Sequence, residues 1–336
     1  VNGKDRVEQE GYITDELSQF TLEWLNQRKS EKPFFLYVSH KAAHADFIPA
    51  ERHAYRYKDQ KLPVHKDWNG NKVIEQGKPL WVQNQRNSRH GIEYAYYTHL
   101  DMEQYYQRYC ETLLAVDDSV GELMHWLDES GESENTLVLY MGDNGFLFGE
   151  HGLIDKRNAY EESMRIPLMV KFPGVVSKGL KVSSMVANID IAPTLLDVAG
   201  VRIPEHMDGR SFSPMLKGKN TPWRQYLLYE YFWERNYPQT PTTHSLRGDR
   251  FKYIRYHGIW DKDELYDLES DPDELQNLIR EPQHQSRIKD MNRVLFDMLE
   301  LSKGREIPLQ RDRGTQFFHR AAGGSPASGF TSDFYQ

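Results

Sequence analysis

Three short stretches of the chain carry almost nothing but apolar side chains, and each stops abruptly. Phe34-Phe35-Leu36-Tyr37-Val38 runs into Ser39, His40, Lys41 and His44; Thr136 to Met141 runs into Gly142, Asp143 and Asn144; Leu168-Met169-Val170-Lys171-Phe172 ends at Pro173-Gly174. Runs of this length without alternation predict strands buried on both faces, as in a parallel sheet. Ligands of open α/β sheets sit outside the carboxyl ends of such strands, and the first two runs deliver polar residues there.

Helical spacing fills the intervals. Leu17, Phe20, Trp24 and Leu25 predict an amphipathic helix within 12–30, N-capped by Thr14 or Asp15 and ended by Lys32-Pro33. Leu113, Val116, Val120, Leu123 and Leu127 place one stripe on a helix over 105–129, with Gly131 as its C-cap. A third helix is expected from Ile191 to Ala199, with Asp190 as a cap, Pro193 in its first turn and Gly200 stopping it. Beyond Pro204, Pro214 and Pro222 the pattern changes. Tyr226–Trp233 and Ser245–Arg255 read as strands, and Lys252-Tyr253-Ile254-Arg255 alternates like a half-exposed antiparallel strand. Glu264–Leu268 forms a short element, and Ile288, Met291, Leu295, Met298 and Leu299 mark a terminal helix over 283–301. The fold class is α/β: a mixed, mostly parallel sheet flanked by helices over 1–215, a smaller α+β subdomain over 216–302 (antiparallel sheet plus terminal helix), and a surface tail over 303–336.

Composition narrows the function classes. Hydrophobic residues make up 38% of the 336, aromatic residues 12%, and the mean hydropathy is -0.75, which fits a folded domain rather than a disordered chain. No apolar run reaches the ~18–20 residues of a membrane span. A formal charge of -8 with no offsetting basic stretch argues against nucleic acid as a partner. With one cysteine, Cys110, an internal disulfide and a cysteine-based metal cluster are excluded; Cys110 is read as a small core residue.

The polar residues after the second run suggest chemistry. Asp143 and Asn144 are adjacent hard oxygen donors, one charged and one neutral, suited to Ca²⁺ or Mg²⁺ rather than Zn²⁺. Lys156 offers a cation for a tetrahedral anion, and His44 and His151 are proton donors near neutral pH. Asp117-Asp118 is not read as a metal pair, because adjacent helical side chains diverge by about 100°. Residues 49–105 lack a period but are rich in His, Trp, Tyr, Arg and Asn, including Trp68, Trp81, Arg86-Asn87-Ser88-Arg89-His90 and tyrosines in 94–97. Such a stretch is either a glycan-facing loop or an ordinary surface loop pinned by aromatics.

Asp143-Asn144-Gly145, Gly149-Glu150-His151-Gly152, and Lys156 followed by Tyr160-Glu161-Glu162-Ser163 and Arg165-Ile166-Pro167 resemble the signature block of the sulfatases. These belong to the alkaline-phosphatase-like superfamily. Phe34–His44, Asp190–Leu196 and Glu264–Leu268 are also similar to sulfatase segments, so the resemblance covers nearly the whole chain. It implies Asp143 and Asn144 as Ca²⁺ ligands, Lys156 as the sulfate-binding residue, His44 on the leaving oxygen and His151 near the substrate. Arg86-Asn87-Ser88-Arg89-His90-Gly91 and Pro241-Thr242-Thr243-His244-Ser245-Leu246-Arg247 resemble loops of the N-acetylglucosamine-6-sulfatase or mucin-desulfating type. That resemblance implies Arg86, His90 and His244 as substrate contacts, a 6-O-sulfated amino sugar as substrate, and a periplasmic or secreted location.

The chain departs from the family in several respects: Ala43-His44 stands where the family segment usually ends in Pro-His, and the family's first-strand Asp pair and Gly-Lys-Trp-His-Leu-Gly segment are absent. Sulfatases carry a formylglycine made from the first residue of Cys/Ser-x-Pro/Ala-x-Arg, but Cys110 is followed by Glu-Thr-Leu-Leu, and Ser325-Pro326-Ala327-Ser328-Gly329 lacks the arginine. The formylglycine is therefore expected upstream of these residues, together with the remaining ligands of an ion that takes about six to eight oxygens. The expectation is that these 336 residues alone are inactive and bind Ca²⁺ weakly. Two other readings remain: a phosphodiester or phosphonate hydrolase of the same superfamily, and a non-catalytic carbohydrate-binding pseudoenzyme.

Overall fold

The computed structural model describes residues 8–29, 32–44, 46–61, 76–94, 101–154, 156–234 and 237–304. Trp68, Tyr96 and Tyr97, and the tail from 305 onward, lie outside the described residues. In chain order the elements are α1 (Ile13–Gln27), α2 (Leu80–Gln85), α3 (Met102–Glu129), β1 (Val138–Met141), α4 (Glu161–Met164), β2 (Leu168–Lys171), α5 (Ile191–Val198), α6 (Ser213–Leu216), β3 (Tyr226–Tyr231), β4 (Thr242–Gly248), β5 (Phe251–His257), β6 (Glu264–Asp267) and α7 (Gln285–Leu301). The architecture is α/β, with β1 and β2 in a two-stranded sheet and β3-β4-β5-β6 in an antiparallel one. The chain divides into two compact units: Val1–Val64, Leu100–Leu139 and Met169–Ser177 form one, and His65–His99, Tyr140–Leu168 and Lys178–Gln336 the other.

In the first unit, α1 meets α3 through small polar side chains. Ser18 Oγ donates to Ser119 Oγ at 2.6 Å, and Ser119 Oγ lies 3.1 Å from His40 Nε2. The buried face of α3 runs through Thr112, Ala115, Val116 and Ser119, whereas Leu113, Val120 and Leu123 of the expected stripe are half-buried. Arg52 ties the helices together, bonding Asp15 at 2.7 and 2.9 Å and Asp118 at 2.7 and 2.9 Å. Asp118 is thus a structural carboxylate, held below the usual range by His53 and Arg52. The α3 C-terminus is a Schellman turn: Gly131 has φ +72°, Glu132 N–H donates to Leu127 O at 3.0 Å, and Gly131 N–H to Asp128 O at 3.2 Å.

Several expectations shift. Residues 34–38 form no strand, and Phe35 and Tyr37 are 74% and 81% exposed. All four β1 residues are half-buried rather than buried on both faces. The α1 N-cap is Tyr12, with Thr14 already helical and buried. Asp190 stands at the N-cap of α5 but does not cap it: its carboxylate forms a buried bidentate pair with Arg224, both contacts at 2.5 Å. Ser245–Arg255 is not one strand but the β4–β5 hairpin, turning at Asp249-Arg250.

The antiparallel sheet of the second unit is covered on both faces. Leu246, Tyr253 and Leu265 pack on Met291, Leu295 and Leu299 of α7. On the opposite face Ile254, Tyr256 and Tyr266 meet Trp81 and Val82 of α2 and Leu147, Leu153, Ala159 and Tyr160. Strand alternation assigns the faces, and each fully buried leucine contributes about 1.5–3 kcal/mol. The half-exposed reading of Lys252–Arg255 is therefore corrected: Lys252 is fully buried.

Candidate functional site

At the end of β1, Gly142 N–H donates to Pro167 O at 3.3 Å, and the chain turns through Asp143 and Asn144, both exposed. Asn144 N–H donates to Asp143 Oδ1 at 2.9 Å, and the Asn144 side-chain amide donates to Gly145 O at 2.7 Å, leaving its carbonyl oxygen for another partner. Gly145 N–H donates to Ser163 O of α4 at 2.8 Å, and a Cβ on Gly145 would stand 1.9 Å from Glu162 O. Only glycine allows this approach. Two exposed hard oxygens on a fixed turn fit a hard divalent cation as part of its ligand set. Among the described residues no group of three or more His, Cys, Asp or Glu could hold a metal ion.

The same short helix seats the lysine and the histidine. Lys156 is half-buried, and its carbonyl accepts the Ser163 hydroxyl. His151 is fully buried with φ +56°, between Gly149 at φ +114° and Gly152 at φ +76°. A non-glycine residue held in the left-handed region marks a turn stabilised by its surroundings. The His151 ring lies 4.1 Å from that of Tyr160, and its Nε2 stands 3.6 Å from Glu162 Oε2, an ion-pair separation rather than a hydrogen bond. Burial opposes ionisation of Glu162, but His151, a backbone amide and Lys252 together outweigh it and hold the carboxyl at about 2.

Arg86 and His90 come to this segment from far upstream. Gly91 bridges Leu153, Ile92 N–H donates to Gly152 O at 3.1 Å, and Ile154 N–H donates to His90 O at 2.8 Å. Arg86 is buried, bonds Glu93, and lies where a Cβ on Gly152 would meet its side chain at 3.0 Å. His90 stacks on Tyr237 at 4.9 Å, and the Arg157 guanidinium covers that ring at 3.4 Å. His244 is 1% exposed on β4, with Nδ1 2.9 Å from His257 Nε2 and Nε2 3.7 Å from Glu230 Oε1. Burial and His257 push the His244 imidazole down to about 4, so it is neutral at pH 7. His44 belongs to the first unit, exposed at a turn where its N–H donates to Lys41 O at 2.8 Å.

Beneath α4 lies a charge network that the sequence pattern does not reveal. Glu161 Oε1 stands 3.0 Å from Lys252 Nζ, Glu161 Oε2 3.2 Å from Arg247 Nη2, and Lys252 Nζ 2.6 Å from Glu274 Oε1. Beside it, buried Glu264 accepts the hydroxyls of Tyr160, Tyr256 and Tyr266, with Lys78 Nζ 3.8 Å away. Tyr160 and Glu161, both within the 142–167 block, thus hold it to the C-terminal sheet. Their adjacency was visible in the sequence, but their partners were not.

The comparisons with known proteins fall on this block and the sheet behind it. A family profile described as Sulfatase matches residues 2–201, more than half of the chain. The chain belongs to the sulfatase family. A second profile, N-sulphoglucosamine sulphohydrolase, C-terminal, matches 149–300 of this sulfatase chain. It is 30% identical to the N-acetylglucosamine-6-O-sulfatase of Bacteroides thetaiotaomicron over 88% of its own length and 62% of that protein's. With the N-acetylglucosamine-6-sulfatase of Bos taurus it shares 35% identity over 73% of its length and 44% of the relative's. A solved structure in complex with its substrate, D-glucosamine-2-N,6-O-disulfate, superposes with a TM-score of 0.78 at 26% identity, over 92% of this chain and 74% of that one. The chain therefore spans less than two thirds of the length of these curated relatives. Its fold is that of the alkaline-phosphatase-like sulfatases.

Proposed function

We propose that the protein is a sulfuric ester hydrolase that removes sulfate from a sulfated carbohydrate, a 6-O-sulfated N-acetylglucosamine in particular. The observation that carries this reading is the gathering of the Asp143–Asn144 turn, Lys156 and His151 around one short helical turn, α4, through Ser163 and Glu162. Asp143 and Asn144 would hold Ca²⁺, which when bound supplies a fixed positive charge to the sulfate oxygens. Lys156 would neutralise the same anion, and positive charge beside the ester lowers the cost of charge moving onto the leaving oxygen. His44 is assigned to the leaving oxygen and His151 to holding the substrate side of the turn. The formylglycine expected for the family supplies the covalent acceptor for sulfate and is assigned to sequence outside these residues. The names and substrates of the relatives support the amino-sugar choice, and Arg86 and His90 are assigned to its recognition through their seat on the 152–154 segment. A periplasmic or secreted location follows from the same reading; among the described residues no helix is long and apolar enough to cross a membrane.

The test is a panel assay on the full-length protein with 6-O-sulfated N-acetylglucosamine, simple aryl sulfates, choline sulfate and a phosphonate monoester. Release of sulfate from the amino sugar, lost on chelation and in Lys156→Ala, is the expected result. Cleavage of only aryl sulfates or choline sulfate rejects the sugar assignment, and phosphonate cleavage without sulfate release rejects the sulfatase reading.

A further inference from the structure

The structure assigns a positioning role to the cluster of buried Lys252 and Glu274 with half-buried Arg247, acting through Glu161 on the Asp143–Asn144 turn and Lys156. This inference rests on the sulfatase reading for the purpose of those residues, but not for the geometry. The helical turn α4 has two kinds of contact. Toward the site, Ser163 O accepts Gly145 N–H at 2.8 Å, the Ser163 hydroxyl donates to Lys156 O, and Glu162 faces His151 at 3.6 Å. Toward the sheet, Glu161 N–H donates to Glu274 Oε2 at 2.7 Å, while the Glu161 carboxylate meets Lys252 at 3.0 Å and Arg247 at 3.2 Å. A turn of four residues has no stability of its own, so these anchors decide where it sits.

The anchors are expensive to build for stability alone. Lys252 and Glu274 are both fully buried, and burial raises the Glu274 carboxyl to about 7 despite Lys252. A well-packed apolar core of the same volume is as stable as a buried ion pair or more so, which leaves geometry as the gain. Glu274 also has φ +52°, in a turn fixed by Asp271, whose carboxylate oxygens accept Leu275 N–H at 2.9 Å and Gln276 N–H at 2.8 Å. Held backbone of this kind is found where a side chain must be aimed. Here it aims one carboxylate at both Lys252 and the first amide of α4.

The experiment compares wild type, Lys252→Met/Glu274→Gln and Lys252→Arg in the full-length protein. Readouts are amide hydrogen exchange, Ca²⁺ half-saturation, and kcat and KM on the sulfated sugar. In the double variant, exchange in 142–149 and 156–164 is expected to accelerate about tenfold or more while 285–301 of α7 stays unchanged. Half-saturating Ca²⁺ is expected to rise about tenfold, the scale seen when groups supporting metal ligands are removed. Lys252→Arg, which keeps the charge, is expected to remain within about threefold of wild type. If the double variant does not fold, Glu161→Gln is read in its place, with the same localised acceleration expected. Unchanged exchange in 142–149, or equal acceleration in α7, overturns the inference. The exchange readout needs no substrate, so a wild-type protein that cleaves no sulfate ester refutes the proposed function while leaving this inference to be decided by exchange.

Discussion

At the scale of single residues, the candidate site depends on atoms whose neighbours leave little freedom. Gly145 is the clearest case. A Cβ there would stand 1.9 Å from a backbone oxygen, so Gly145→Ala must displace the turn that carries Asp143 and Asn144. The expected outcome is a destabilisation of about 1–3 kcal/mol in urea melts together with weakened Ca²⁺ binding by calorimetry. His244 gives a prediction for pH. Its folded pKa is near 4 against an unfolded value of 6.5, so folding keeps it neutral. Above pH 6.5 this costs nothing; as pH falls from 6.5 to 4 the unfolded chain takes up the proton first and stability is lost. At about 1.4 kcal/mol per pKa unit, reduced by solvent screening, the loss is ~1–3 kcal/mol. Thermal melts of His244→Gln between pH 7 and 4 are expected to show a shallower decline than wild type; parallel declines reject the assignment.

Among the elements, the antiparallel sheet and α7 form the firmest part of the second unit. Leu295 is fully buried between α7 and the sheet, so Leu295→Ala is expected to cost about 2–5 kcal/mol, read from denaturant midpoints. By contrast, α4 contributes little apolar area and is held by charge. It is therefore expected to transmit a change in the sheet to the site, whereas α7 packs on the face of Leu246 and Tyr253, opposite the one that carries Lys252. This element-scale asymmetry is why exchange in 285–301 serves as the control for exchange in 142–149.

Across the whole molecule, buried ion pairs join stretches that are far apart in the chain. Asp190 is fully buried and bonded to Arg224, and it also accepts the amides of Ala187 and Arg210 at 2.8 Å. Removing the carboxylate alone strands a buried guanidinium, so Asp190→Ala is expected to lose about 3–5 kcal/mol of unfolding free energy, and Asp190→Asn/Arg224→Met less. Denaturant melts of the two variants check it: equal losses would mean that the ion pair is not the source.

The sequence by itself determined the sulfatase likeness of the 142–167 block, the helices at α1, α3, α5 and α7, and the antiparallel C-terminal sheet. Local rules carry that information: periodicity, caps, glycine turns and the oxygen donors of Asp143 and Asn144. It did not determine that Lys252 is buried, because alternation says which side a residue takes and not what lies there. The partners that neutralise it, Glu161 and Glu274, stand on other segments; Glu161 is 91 positions from Lys252 and 113 from Glu274. Nor did it show that 34–38 would form no strand, since a buried strand exists only where neighbouring strands supply its hydrogen bonds. The tertiary structure decided these points. It seats the Arg86–His90 loop on Gly152–Ile154, turns Asp190 from a cap into an ion pair, and places a charge cluster under the turn that holds the site. Each requires the low-dielectric contact of distant residues, which local pattern does not encode.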